Sequence, residues 1–359
     1  MAEHLLEVRD LRVSFDTYAG EVQAVRGVDF CLDRGESLTI VGESGCGKSV
    51  TLHALMRLNP EPPARIKAGE ILYDGQNLVQ KTDREMRSYR GKELAMIFQD
   101  AMTSLNPVAR VGRQMTEAIR LHKKNVTAAE AKSRAVEMLG RVGLPDPAAV
   151  YRRYPHTLSG GQRQRVMIAM ALCCHPSILL ADEPTTALDV TTQAQILQVM
   201  GELQKDTGCG IILVTHNLGV VARMAHRVAV MYAGQIVEQG ALDDIFYRPK
   251  HPYTWGLLGA MPDMQEDRES RLTSIPGSPP DLFAPPAGCA FAARCPYCME
   301  VCLARCPVRL DVAQGHSARC WLLDERAGNR VVPPAGEDRT LVTEDMRQYI
   351  NGKGGGADV

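Results

Sequence analysis

The sequence predicts an α/β fold carrying a small cysteine-rich extension, and three observations point to it. A short apolar strand, a glycine-rich loop and a helix follow one another over residues 36–56. Further apolar runs ending in polar or acidic residues occur at 95–99, 177–183 and 211–216, with a helical stretch between the first two. Six of the eleven cysteines fall between Cys289 and Cys320, behind a proline-rich segment.

Length and charge narrow the class. At 359 residues the chain exceeds the ~100–200 usual for one domain, so a full domain with a smaller addition is expected. Lys and Arg number 41 against 42 Asp and Glu, which lacks the basic excess of a nucleic-acid binder, and no nucleic-acid partner is expected. No stretch reaches the ~20 apolar residues of a bilayer span, and Met1-Ala2-Glu3-His4 does not open a signal peptide, so a cytoplasmic location is expected. The run Ile275-Pro276-Gly277-Ser278-Pro279-Pro280, followed by Pro285-Pro286, can continue neither helix nor central strand and reads as a connector. The expected organisation is a nucleotide-binding domain over 1–250 with a helical subdomain at about 100–160, a cysteine-bearing extension over 251–325, and a polar tail over 326–359.

Glu36 to Val41 reads as a buried strand that runs into Gly42-Glu43-Ser44-Gly45-Cys46-Gly47-Lys48-Ser49, after which Val50 to Met56 is helical. Glycines allow successive backbone N–H groups to curl around phosphates, and the helix N-terminus adds its dipole. Lys48 would reach the β- and γ-phosphates and Ser49 would ligate Mg²⁺, with Gly42 through Val50 forming the cradle. Cys46 has no side-chain task in it. Ser177 to Ala181 forms an apolar strand ending in Asp182 and Glu183, a pair suited to holding Mg²⁺ and to orienting or deprotonating water, respectively. Many buried strands end in an acid, so this pair gains its meaning from the glycine loop.

Leu158-Ser159-Gly160-Gly161-Gln162 resembles the signature of the ABC ATPases at every position. The resemblance continues in chain order: Gln99 matches the Q-loop, Ala187-Leu188-Asp189 the D-loop, and His216 the switch histidine. It implies an ATPase cassette with a mixed RecA-like sheet, an antiparallel β subdomain and a helical subdomain. It further implies Gln99 as a third Mg²⁺ ligand, Glu183, His216 and Gln99 as catalytic groups, and Ser159, Gly160, Gly161, Gln162 and Asp189 at a nucleotide shared with a second subunit. The adenine-stacking aromatic it implies is Phe15, with Tyr18 as runner-up and a plain core role for Phe15 also open. Thr127-Ala128-Ala129-Glu130 reads as a capping box, and Ala135, Met138, Leu139 and Val142 share one helical face in the subdomain region.

Gln99 to Pro107, His251-Pro252-Tyr253-Thr254, the connector, and Gly288-Cys289-Ala290-Phe291-Ala292-Ala293-Arg294-Cys295-Pro296 look like the ATP-binding subunits of oligopeptide and dipeptide importers. With them the resemblance reaches about Trp321. It implies di- or oligopeptide uptake, a partner cassette of related but different sequence, two transmembrane permease subunits touching the helical subdomain and residues 100–107, an external substrate-binding protein, and a place on the cytoplasmic face of the membrane. Ala101 and Asn217 depart from the pattern, which leaves fine points of coupling in doubt. Cys289, Cys295, Cys302 and Cys320 match the four cysteines that hold a [4Fe–4S] cluster in some relatives. Their five- and six-residue gaps are wider than usual zinc spacing, while Cys298 and Cys306 are extra to the pattern. Zinc, or thiols without metal, remain alternatives. A soluble ABC ATPase acting on nucleic acid or ribosomes, the chief competing class, would carry two cassettes or a long insertion between Ser49 and Leu158.

Overall fold

The computed structural model describes residues 4–100, 104–123, 125–185, 189–260 and 275–327. Its organising element is an eight-stranded sheet. Strands β3 (Ser37–Val41), β6 (Leu94–Ile97), β7 (Ile178–Asp182), β8 (Gly210–Thr215) and β9 (Arg227–Tyr232) run parallel in the order β9-β3-β8-β7-β6. β3, β6, β7 and β8 are buried at every position, which is why they read as continuous apolar runs. Each strand divides its side chains between the two faces: Leu179, Ala181, Ile211 and Leu213 enter the core shared with the helical region, whereas Ile178, Leu180, Ile212 and Val214 enter the opposite core.

That opposite core is closed by a second sheet. Strands β1 (Leu6–Thr17) and β2 (Gly20–Leu32) pair antiparallel, and β4 (Ala64–Tyr73) and β5 (Gln76–Asn77) complete the order β2-β1-β4-β5. Helix α1 (Lys48–Leu55) lies between the sheets, burying Leu52 and Leu55. A short α2 (Asp83–Tyr89) follows β5.

The helical region comprises α3 (Val111–His122), α4 (Ala128–Arg141) and α5 (Pro147–Arg152), followed by α6 (Gly160–Leu172). The capping box read in the sequence starts α4: Glu130 accepts from the Thr127 amide at 2.9 Å, and the Glu130 amide donates to Thr127 Oγ1 at 3.3 Å. Ala131, Ala135, Met138, Leu139 and Val142 are buried, so their apolar stripe serves the subdomain core. Helix α7 (Val190–Thr207) and α8 (Leu218–Met224) flank β8. No described helix is long and apolar enough to cross a membrane.

Beyond β9 the sheet turns antiparallel. Strand β10 (Gln235–Ala241) pairs with β9, and after α9 (Leu242–Tyr247), α10 (Pro252–Gly259) and the connector the chain comes back to the same sheet. A short α11 (Glu300–Ala304) precedes the hairpin of β11 (Leu310–Ala313) and β12 (His316–Ala318), and β12 pairs with β10 through Glu238 opposite Ala318. The cysteine-bearing segment thus extends the main sheet, and Phe291 packs edge-on against Tyr232 at 5.3 Å and at a tilt against Tyr253 at 5.4 Å. The tail beyond residue 327 lies outside the described residues.

One buried carboxylate ties these pieces together. Glu238, with its side chain fully buried, accepts from the amides of Lys250 (2.6 Å) and His251 (3.0 Å), from Thr254 Oγ1 (2.6 Å) and from His316 Nε2 (2.8 Å). Those four bonds use the carboxylate's accepting capacity and join β10, the start of α10 and β12. Glu238→Gln turns two accepting positions into donors and is expected to cost ~2–3 kcal/mol, seen as a lower urea midpoint; an unchanged midpoint contradicts the role of this carboxylate. Burial pushes the neighbouring His251 from 6.5 down to about 3, and its Nδ1 accepts from the Tyr253 amide. Because the unfolded chain binds a proton that the folded one refuses, stability should fall as pH drops from 6.5 towards 3. His251→Asn keeps a helix-capping acceptor without the titration, so its acid limb measured by circular dichroism is expected to be flatter.

Candidate active site

The glycine-rich loop emerges from the end of β3 and closes on the first turn of α1. Gly47, the N-cap of α1, has φ 103°, and a Cβ there would lie 2.4 Å from the Ala24 carbonyl oxygen. A Cβ on Gly42 would lie 2.1 Å from the Met231 carbonyl oxygen, so the loop is pressed against the end of β9. Lys48 is only 5% exposed; its Nζ donates to the carbonyls of Gly42 and Glu43, both at 2.8 Å. The ammonium therefore sits inside the curl of its own loop. Cys46 turns its thiol into the core, where burial raises its pKa, and Lys48 Nζ lies 3.7 Å from the sulfur.

The parallel register brings the acids alongside. Asp182 stands at the end of β7, and Ser49 Oγ donates to its Oδ1 at 2.9 Å. Burial raises the Asp182 pKa, and the Ser49 bond holds that rise back. Glu183 has φ 45°, a strained value for a side-chain-bearing residue, and its amide bonds to the Val214 carbonyl on β8 at 2.9 Å. Its carboxylate is held from two sides: Gln99 Nε2 donates to Oε2 at 3.3 Å, and His216 Nδ1 lies 2.9 Å from Oε1. Residues from the ends of β3, β6, β7 and β8 are thus gathered at one edge of the sheet, where open α/β sheets bind ligands. A cleft of about 460 Å³ opens over them, with Phe15, Val22 and Ala24 on one wall and Ser44, Gly45, Gly47, Lys48, Ser49, Val50, Gln99 and Glu183 on the other. Tyr18 stands fully exposed at the β1–β2 turn and does not line it.

Ser159, Gly160, Gly161 and Gln162 do not line the cleft. They start α6, where Ser159 Oγ accepts from the Gln162 amide at 3.3 Å and the Gln162 side chain accepts from the Ser159 amide at 3.2 Å. A Cβ on Gly160 would meet nothing within 4 Å, so this helix start faces open space. Asp189 caps α7, accepting from the Thr192 amide at 2.8 Å, which lowers its pKa. Ala187, Leu188 and Ala101 lie outside the described residues.

Two features have no counterpart in the sequence reading. Leu282, in the proline-rich connector, lines the cleft, and its carbonyl accepts from the Gln23 amide at 2.9 Å. Arg294, from the cysteine-bearing segment, bonds the Glu43 carboxylate in the loop. No spacing rule pairs residues about 250 positions apart.

The four matched cysteines are grouped but do not converge. The Cys289 amide donates to the Cys302 carbonyl at 2.7 Å, and a Cβ on Gly288 would come within 2.1 Å of that oxygen. Burial, helped by the neighbouring thiols, pushes Cys289 and Cys295 up to about 11 and Cys320 up to about 12. Among the described residues no three His, Cys, Asp or Glu side chains come together closely enough to hold one metal ion. Cys298 is exposed and Cys306 lies toward Gln235, 3.9 Å from its Oε1.

Comparison with known proteins agrees with this geometry. The ABC transporter family matches residues 25–186, and the oligopeptide/dipeptide transporter C-terminal region matches residues 237–302. The chain is 57% identical to the oligopeptide transport ATP-binding protein OppD of Bacillus subtilis, covering 97% of this chain and 95% of that one. It is 52% identical to the dipeptide transport ATP-binding protein DppD of the same organism, covering 94% of this chain and 100% of that one. Among solved structures, a dimeric bacterial ABC transporter cassette aligns with a TM-score of 0.61 at 28% identity, covering 66% of this chain and 98% of that one. With two strand-end acids beside a phosphate loop and this extent of likeness, the chain belongs to the ABC transporter ATP-binding proteins, in the group that bears the oligopeptide/dipeptide transporter C-terminal region.

Proposed function

We propose that this chain is the ATP-hydrolysing subunit of an importer of di- and oligopeptides. The observation that carries the reading is the Glu183 carboxylate, held between Gln99 and His216 beside Lys48, Ser49 and Asp182. Lys48 would exchange the carbonyls of Gly42 and Glu43 for phosphate oxygens, and Phe15 would offer its ring to the adenine. Ser49, Asp182 and Gln99 supply the oxygen donors that suit Mg²⁺ and would hold it, and the ion would supply positive charge to neutralise charge developing on the phosphates. Glu183 orients the attacking water and accepts its proton, and His216 fixes the carboxylate in place.

A second cassette completes the site. Ser159, Gly160, Gly161 and Gln162 face outward at a helix start, an anion-binding arrangement suited to a nucleotide on a facing subunit, with Asp189 near that contact. The dimeric state of the solved cassette supports this reading. By the family resemblance the partner cassette is read as a sibling of different sequence, with a second copy of this chain as the alternative. An apolar groove lined by Met96, Phe98, Ala118, Met167 and Met170, next to Ser104, supports docking against the permease subunits, with the chain read as peripheral to the cytoplasmic face of the membrane. Peptide would reach the permeases from an external binding protein, and closure and opening of the cassette pair would drive them.

For the cysteine segment the finer reading is a [4Fe–4S] cluster on Cys289, Cys295, Cys302 and Cys320. Its support is the donor set: four thiols within electrostatic reach of one another, which need not meet at a point because each thiolate takes its own iron. Such a cluster would cross-link a segment with little apolar core of its own.

Glu183→Gln in the assembled transporter is expected to cut kcat for ATP by ~10²–10⁴-fold while leaving nucleotide binding in place; unchanged ATPase activity overturns the assignment. Anaerobic purification followed by iron and acid-labile sulfide analysis is expected to find both in equal amounts. Colourless protein, with zinc or with no metal, rejects the cluster.

A further inference from the structure

Glu43 carries a carboxylate on the loop read as the phosphate cradle, next to Ser44, which lines the cleft. Left unpaired, that charge would oppose a polyanionic ligand, the more so where solvent is partly excluded. It is paired, and the cation comes from the other end of the chain. Arg294 Nη1 donates to Glu43 Oε2 at 2.7 Å and Nη2 to Oε1 at 3.0 Å, a two-pronged contact. The Arg294 side chain is only 5% exposed.

Arg294 is also bonded to parts of the chain outside the loop. Its Nε donates to the Pro276 carbonyl (2.9 Å), Nη2 to the Ile275 carbonyl (3.1 Å) and Nη1 to the Tyr232 hydroxyl (3.2 Å). The residue next to it is Cys295, and the turn that presents it, Ala292–Arg294, begins three residues after Cys289. The same loop residue is gripped a second time through its backbone: the Glu43 amide donates to the Tyr253 hydroxyl at 2.9 Å, and the Tyr253 ring packs against both Tyr232 and Phe291. Side chain and amide of one phosphate-loop residue are therefore both held by the C-terminal segment and the aromatics it packs on.

We propose that Arg294 is a positioning residue that neutralises Glu43 and orients the phosphate loop, so that the conformation of the cysteine-bearing segment sets the affinity for MgATP. This rests on the reading of the cleft as an ATP site. The guanidinium offsets an opposing charge on the loop, leaving Lys48 as the loop's cation at the cleft. By linkage, nucleotide binding must tighten the segment by as much as the segment tightens nucleotide binding.

The full-length chain with Mg-AMP-PNP in a calorimeter tests this. Wild type must bind; absence of binding would count against the ATP site itself and not against Arg294. Arg294→Gln is expected to weaken binding roughly tenfold, because it leaves a carboxylate unpaired beside the phosphates. Adding Glu43→Gln to that variant removes the stranded charge and should recover most of the loss. If Arg294→Gln binds like wild type, or if the double variant is as weak as the single one, the charge role is overturned, since an arginine that merely holds the fold would not be rescued by deleting its partner's charge. Should Arg294→Gln not fold, hydrogen exchange on wild type and Glu43→Gln decides the point. Mg-AMP-PNP is expected to slow amide exchange over residues 289–302 in wild type and to slow it less in Glu43→Gln, and equal protection in the two overturns the coupling.

Discussion

A shared register among buried parallel strands underlies everything else in this molecule. Val41 at the end of β3 lies opposite Thr215 of β8 and Val230 of β9, and Asp182 of β7 lies opposite Val214. Because each strand sends alternate side chains into two different cores, a slip of one residue would exchange the contents of both. That cost fixes the strand ends level with one another, and it is why a glycine loop, a glutamine, two acids and a histidine from four distant stretches meet at one edge. The strain at Glu183 follows from the same source: its amide still joins the β8 ladder through Val214 while its carboxylate is turned toward Gln99 and His216.

Charge placement at that edge follows a pattern of its own. Lys48 and Asp182 are both buried, and each is satisfied locally: the ammonium by two loop carbonyls, the carboxylate by the Ser49 hydroxyl. These are the groups that would have to change partners when phosphate and metal arrive. Glu43 is the exception, since its partner is a distant arginine that does not line the cleft. The loop therefore combines residues that exchange their bonds with a residue whose bonds are an anchor.

How much of this is legible in the sequence depends on how local the signal is. The strand–loop–helix around Lys48, the strand-end acids and the α4 capping box are written in contiguous residues, and the structure has them where those residues stand. Gln99 and His216 stand out only as members of an ordered series, because a polar residue where a strand meets solvent is ordinary in any α/β fold; their meeting at Glu183 is a product of strand order. Leu282, Arg294 and Glu238 leave no mark. Each acts through a contact with residues far along the chain or through a burial that composition conceals, and a glutamate in an alternating strand reads as solvated until its four donors are seen around it. The cysteine segment reads as an appendage by composition, yet its hairpin continues the main sheet, because strand pairing depends on backbone groups that the side-chain pattern does not report.

The β11–β12 hairpin carries a consequence for how the chain can be divided. A cassette cut off shortly after β10 would keep that strand but lose the one that covers it, exposing a row of unpaired amides and carbonyls flanked by Ile236 and Val237. It would also leave Glu238 without His316, stranding part of a carboxylate that has no other ionisable side chain among its bonded partners. A bare sheet edge invites another copy to pair with it. In the intact chain the hairpin covers β10 and leaves only the short β11 at that edge, so a cut after β10 would lengthen the exposed edge.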